Sequence, residues 1–241
     1  MTDLQAILDK GGPWEQARII GGQLLINGDC REVMAVLPRA DAVLTDPPYG
    51  IRRAGQVETF TKSAKHKRRL HDAKSWDESR PAPEVFKLML SASEGAIIWG
   101  GNYFADLLPP SMRWLYWDKG QDGLSMSDGE LAWTSQQAAL RAFKMNRSAI
   151  ARDGAQHPTQ KPIALMEWCL GFLPDAQTIL DPFVGSGTVA VACQRLGRQS
   201  ISIELDADYW AIMCKRVQEV VNNPPLFVPA PPKPTQDKMD L

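Results

Sequence analysis

The sequence predicts one α/β domain, a doubly wound and mostly parallel sheet with helices on both faces. Three observations carry this. Apolar runs of strand length alternate with helical patterns along most of the chain. Two of those runs end in an acid followed by proline, at Asp46 and Asp181, as loops at the carboxyl edge of a sheet often do. The length, 241 residues, suits one substantial core and is short for two.

The first 20 residues read as an adapter or short helix, and "QLLINGD" as the first strand. A helical stretch from Cys30 to Leu37 leads to the strand "DAVLTD". Residues 52–80 are polar and basic without periodicity, too long for an ordinary connection. "GAIIWGG" resumes the strand pattern, and Asn102 to Leu108 reads as a brief helix stopped by Pro109 and Pro110. "RWLYWDK", "ELAWTS" and "LRAFKM" have the aromatic content of strands. A helix from Pro162 to Phe172, the strand "AQTILDP", a helix from Thr188 to Leu196, the strand "QSISIE" and a helix from Ala207 to about Val221 complete the alternation. Residues 1–222 therefore form the expected single domain, and 223–241, with six prolines, an extended tail.

The formal charge is −1, so the total announces no polyanionic partner. Its distribution does more: Arg52, Arg53, Lys62, Lys65, Lys67, Arg68 and Arg69 face the single acid Glu58. Such a segment suits nucleic-acid phosphates, or is a solvated loop. The four cysteines are widely spaced, with no C-x-x-C pair, and read as reduced thiols. No apolar run approaches the length of a bilayer span and none has the form of a signal peptide. A soluble cytoplasmic protein without membrane or metal partners is expected.

Two stretches carry chemistry. "DPFVGSGT", Asp181 to Thr188, sets Gly185 and Gly187 between a strand and a helix, where positive φ and close ligand approach need glycine. Glu204 ends the next strand, in the place of an acid that accepts from ribose hydroxyls. There is no third glycine of a dinucleotide fingerprint and no Gly-Lys-Ser/Thr, so a nucleoside ligand without pyrophosphate fits best. In "DPPY", Asp46 to Tyr49, two prolines preset a backbone that offers a carboxylate and a carbonyl to one amino group. An aromatic face at Tyr49 replaces the stacking that a base loses on leaving a duplex.

Together these residues resemble the S-adenosylmethionine-dependent DNA amino-methyltransferases, in the class with the catalytic motif ahead of the cofactor motif. The anchors are "DPPY", "HPTQKP" at 157–162, "DPFVGSGT" and Glu204; "WGGNYF" and "WDKG" add a likeness to compact phage and prophage methylases. The resemblance implies a Rossmann-like sheet of the methyltransferase type with circularly permuted motif order. It implies that Asp46, Pro47, Pro48 and Tyr49 hold the target amine and its base. Asp181, Phe183, Gly185, Ser186, Gly187 and Thr188 would form the cofactor turn, Glu204 would hold the ribose and Asp29 would lie near the adenine. His157, Thr159 and Lys161 would run along the methionine part. Asp29 is equally suited to cap the helix that begins at Cys30, and Ser186 and Thr188 to cap the helix after the turn.

The implied partner is double-stranded DNA, with Arg52, Arg53, Lys65, Lys67, Arg68 and Arg69 on its phosphates, and the protein a monomer or homodimer. Ser202 stands where many relatives carry glycine, and the segment at about 135–156 is short for target recognition. The leading Asp46 favours adenine N6 over cytosine N4. An idle DNA-binding or regulatory module of the same fold is the alternative from another class.

Overall fold

The computed structural model describes residues 2–51, 79–121, 127–146 and 160–224. Among these residues nine strands form one sheet in the order β1-β2-β9-β8-β3-β4-β6-β5-β7. They are β1 (Gln16–Ile20), β2 (Gln23–Asn27), β3 (Ala42–Thr45), β4 (Gly95–Trp99), β5 (Trp114–Asp118), β6 (Gly129–Thr134), β7 (Arg141–Lys144), β8 (Thr178–Asp181) and β9 (Gln199–Glu204). The run β2-β9-β8-β3-β4 is parallel, β1 pairs antiparallel with β2, and β6 lies antiparallel to both β4 and β5. The expected mostly parallel, doubly wound sheet is therefore present.

Helices α1 (Leu4–Lys10), α2 (Cys30–Val36) and α3 (Pro83–Ser91) cover one face, and α4 (Ile163–Leu170), α5 (Thr188–Arg195) and α6 (Ala207–Asn222) the other. Because both faces are covered, the central strands are buried on both sides, Ser200 and Ser202 of β9 included. Leu24 and Ile26 pack under α1 and α2, while Leu25 between them faces the α4–α6 layer.

Three sequence expectations need correction. The first 20 residues contain, besides α1, the edge strand β1, whose side chains are exposed or half-buried and so lack the continuous apolar signal of the central strands. Helix α3 was not expected; it follows a long aperiodic stretch and starts at Pro83 in its first turn. Between Asn102 and Leu108 only a 3-10 turn forms, Gly101–Tyr103, entered through Gly100 at φ +69.

The winding reverses between β3 and β8. The chain leaves β3 towards α3 on one face, and leaves β8 towards α5 on the other. Two loops diverging from adjacent parallel strands open a crevice at the carboxyl edge, where ligands of such sheets bind. Asp46 follows β3 and the glycine turn follows β8, so both lie at that crevice.

Candidate active site

The β3–β8 pairing is reinforced by a buried hydrogen bond. Thr45 Oγ1 donates to Asp181 Oδ1 at 2.7 Å, and the same oxygen accepts the Phe183 backbone N–H at 3.1 Å. Asp181 is 2% exposed, and this burial pushes its carboxyl up to about 7, against the two hydrogen bonds that favour the ionised form. Its role in the geometry is to tie the strand carrying Asp46 to the turn carrying Gly185.

That turn is glycine for two different reasons. At Gly185, φ is +55 and a Cβ would meet nothing within 4 Å among the described residues, so the position is open towards the crevice. At Gly187, φ is +89 and a Cβ would stand 2.9 Å from the Met213 side chain of α6. Ser186 Oγ bonds to Gln160 and Arg216, while Gly187 itself is the N-cap of α5 without a side-chain cap, so neither Ser186 nor Thr188 caps that helix. Glu204 Oε2 accepts the Gly185 N–H at 2.9 Å and Oε1 the Asp206 N–H at 2.8 Å. Burial raises its carboxyl above the ordinary range, with both backbone N–H groups opposing. The acid thus shapes the glycine turn as well as facing the crevice mouth.

Asp29 ends the segment after β2, beside Glu204 on β9, since Asn27 pairs with Glu204. Its carboxylate caps α2 through the Arg31 N–H at 2.9 Å and forks onto the Arg31 guanidinium, which holds it below the usual range. Asp29 is therefore the cap of α2, and it also lines a cleft of about 390 Å3 with Trp14, Gly28 and Leu205. Leu205 is 73% exposed there, an apolar surface open to a ligand. A larger cleft of about 600 Å3, near Asp41 and Gly95, sits at the opposite, amino edge of β3 and β4.

At the β3 side, Asp46 is held on both oxygens. Oδ1 accepts the Tyr49 hydroxyl at 2.6 Å, and Oδ2 accepts Lys161 Nζ at 2.6 Å. Lys161, for which the resemblance implies a place along the cofactor's methionine part, has its ammonium among Asp46, the Tyr49 hydroxyl at 3.1 Å and Glu130 at 3.0 Å. Its position two residues before α4 explains this, because the buried start of that helix turns the side chain inward. The Tyr49 and Trp99 rings lie 5.5 and 5.6 Å from the same ammonium. Burial pulls Lys161 down, but the Asp46 and Glu130 charges outweigh it and keep the ammonium protonated well above its ordinary value. Burial likewise raises Glu130, and Lys161 with Lys119 reverse it, to about 2.

Tyr49 is half-buried, and burial and the Asp46 charge push its phenol up, so the hydroxyl remains a donor. Its ring stacks on Tyr103, with centroids 4.7 Å apart and planes within 16°. Gly100 lies against the same ring, where a Cβ would come within 2.1 Å. Glu130, Tyr103 and Gly100 were not singled out from the sequence. The glycine pair in "WGGNYF" was the available signal for the close backbone approach; Glu130 had none beyond an acid opening an apolar run. His157, Thr159, Arg52, Arg53, Lys65, Lys67, Arg68 and Arg69 lie outside the described residues. Among the described residues there is no cluster of metal-ligating side chains and no helix long and apolar enough to cross a membrane.

Comparison with known proteins finds partial matches in sequence and a shared fold. Residues 109–215 match the family model described as DNA methylase. Over part of its length the chain is similar to DNA methyltransferases. It is 30% identical to the type II methyltransferase M2.DpnII of Streptococcus pneumoniae over 153 residues, 60% of this chain and 49% of that one. It is 40% identical to M.HpaI of Haemophilus parainfluenzae over 67 residues, 27% of this chain and 21% of that one. The chain thus spans about half the length of M2.DpnII, and less of M.HpaI. The methyltransferase fold is shared with the M1.HpyAVI–SAM complex, at TM-score 0.52 and 22% identity over 79% of this chain and 97% of that one. It is shared also with TTHA0409 of Thermus thermophilus, at TM-score 0.51 and 20% identity over 83% and 95%.

The buried Asp181 gives a pH signature. Between its ordinary value of 3.8 and about 7, the folded chain keeps a proton that the unfolded chain releases. Stability therefore falls as pH rises through that window, by at most about 1.4 kcal/mol per pH unit from this group, and levels off above it. Glu204 acts with the same sign, whereas Glu130 acts below its ordinary 4.5 with the opposite one. In Asp181→Asn, Oδ1 still accepts from Thr45 and Phe183 but cannot titrate. Urea midpoints measured from pH 5 to 8 should decline less steeply in Asp181→Asn than in the wild type; parallel declines would show that Asp181 titrates normally.

Proposed function

We propose that the chain methylates the exocyclic amine of a base in double-stranded DNA, most favourably adenine N6, using S-adenosylmethionine. The observation that carries this reading is the meeting of the Asp46 loop and the glycine turn at one crevice, on neighbouring parallel strands. The residues present fit the cofactor. Gly185 leaves open space, Glu204 stands at the end of the adjacent strand, and the cleft beside Asp29, lined by Trp14 and Leu205 together with the acids Glu15 and Glu32, is of a size for an adenine ring. The cofactor when bound supplies a sulfonium methyl carbon, electrophilic enough to need only an oriented nitrogen lone pair.

The chain's residues supply the orientation. Asp46 and the Pro47 carbonyl accept the two N–H bonds of the amine, which draws its lone pair out of conjugation with the ring. The nitrogen would form one bond to the methyl carbon as the carbon–sulfur bond breaks with its electron pair left on sulfur as a neutral thioether, and the proton the nitrogen then sheds would pass to the Asp46 carboxylate. Tyr49 gives the extrahelical base a stacking face. Tyr49 and Tyr103 now cover each other, so entry of the base exchanges a Tyr–Tyr stack for a Tyr–base stack. A first aspartate favours adenine; cytosine N4 presents a similar amine to the same acceptors and is the second reading.

The described flanks of the basic segment meet beside the same site. It leaves the described chain after Ile51 and returns at Ser79, and its two flanks touch, since a Cβ on Gly50 would stand 2.8 Å from the Arg80 nitrogen. Arg80 in turn donates to the Tyr103 carbonyl at 2.6 Å and pairs with Asp106. Because these flanks lie beside Tyr103 and Tyr49, we assign the lysines and arginines of 52–69 to DNA phosphates.

Two measurements test this. Asp46→Ala should lower transfer of labelled methyl to unmethylated genomic DNA by roughly 10²–10³-fold or more, while calorimetric affinity for S-adenosylmethionine changes little. Equal loss of both would contradict the assigned role; detection of modified bases in DNA from expressing cells reads adenine against cytosine. Neutralising Lys65, Lys67, Arg68 and Arg69 should flatten the dependence of log affinity on log salt, by up to about 0.9 for each phosphate no longer neutralised. An unchanged slope would remove these residues from the DNA interface.

A further inference from the structure

We propose that Glu130 is a positioning residue for methyl transfer, acting through Lys161 to fix the carboxylate of Asp46. The inference rests on the methyl-transfer reading above and adds to it a residue from a distant strand. Its basis is the direction of β6. Because β6 runs antiparallel to β4, with Trp99 opposite Ala132, its first residues arrive at the carboxyl edge of the parallel strands. Glu130 is thereby delivered beside the loop that follows β3.

There it meets an ammonium that also holds Asp46. Lys161 Nζ lies 3.0 Å from Glu130 Oε2 and 2.6 Å from Asp46 Oδ2, and the Lys161 side chain is 7% exposed. The other Glu130 oxygen is taken by Lys119, itself over the Trp117 ring. Two carboxylates and two ammonium groups thus alternate in a neutral row from β5 to the catalytic loop. Glu130 and Lys161 are each held from two sides, which a single ion pair would not do, and leaving one uncompensated in this enclosure is unfavourable.

The geometry assigns the two Asp46 oxygens different tasks. Oδ2 is pinned by Lys161, so the carboxylate cannot rotate, and Oδ1 is left to a donor that can exchange. That donor is now the Tyr49 hydroxyl, at 2.6 Å, and with substrate it is the target amine. Without the Glu130 charge, Lys161 is drawn wholly onto Asp46 and shifts its carboxylate. A displacement on the order of 1 Å is enough to cost a factor of about 10² in rate.

The test is a double-mutant cycle on kcat, with methylation of genomic DNA as the assay. Glu130→Gln, of the same shape, should lower kcat by about 10–100-fold with KM for S-adenosylmethionine nearly unchanged and a thermal transition still present. Lys161→Met should also lower kcat, and the combined variant should be no worse than Lys161→Met alone, because Glu130 has then lost the group it acts through. Multiplying losses, or a Glu130→Gln with wild-type kcat, would overturn the proposal; the second readout stands even if Lys161→Met fails to fold. A wild-type chain that methylates no DNA would instead refute the methyl-transfer reading itself, so the two failures are told apart.

Discussion

The site depends on one constraint, that β3 and β8 are parallel neighbours in register. Val43 pairs with Leu180, so the residues that follow both strands emerge side by side although they are far apart in the chain. The Thr45–Asp181 hydrogen bond, buried and short at 2.7 Å, locks that register at the last residue of each strand. A slip by one residue would reverse the faces of the whole strand. Everything that gathers at the crevice, the Asp46 loop, the glycine turn and the Glu204 strand end, inherits its position from this contact.

A second layer of organisation is electrostatic. The carboxyl edge holds acids in two distinct states. Asp181 and Glu204 are buried among neutral hydrogen-bond donors, and both are pushed towards the protonated form. Asp46 and Glu130 instead share a buried ammonium, and Glu130 is kept ionised by it. The acids beside the glycine turn thus accept from neutral donors, whereas Asp46 and Glu130 are paired with an ammonium. The resting arrangement is also closed: both Asp46 oxygens are engaged, and the Tyr49 ring is covered by Tyr103. On the proposed reading, substrate entry would exchange existing contacts for similar ones, and both Asp46 oxygens have partners before it.

Local patterns made much of this legible. "DPPY" and "DPFVGSGT" are short, their glycines and prolines have direct backbone meaning, and each follows a run that could only be a buried strand. Glu204 was legible from its spacing to the glycines. What escaped depended on pairing across the sheet. Glu130 matters because β6 is antiparallel in an otherwise parallel neighbourhood, and nothing within "DGELAW" encodes its partner strand. Lys161 was singled out for different neighbours, since its contacts are set by the burial of the α4 start rather than by its motif. Helix α3 and strand β1 were missed because one follows an aperiodic segment and the other, at an edge, buries too little for a continuous apolar run.

The central claim is spatial, that one crevice presents an electrophilic methyl group to an amine held by Asp46. A crystal structure with S-adenosylhomocysteine and a DNA duplex bearing the target site would measure it directly. The account predicts the sulfur at the Gly185–Gly187 turn and an extrahelical base with its amine on Asp46, the two separated by little more than one methyl group. A homocysteine sulfur at the amino edge of the sheet, or a base held away from Asp46, would contradict it.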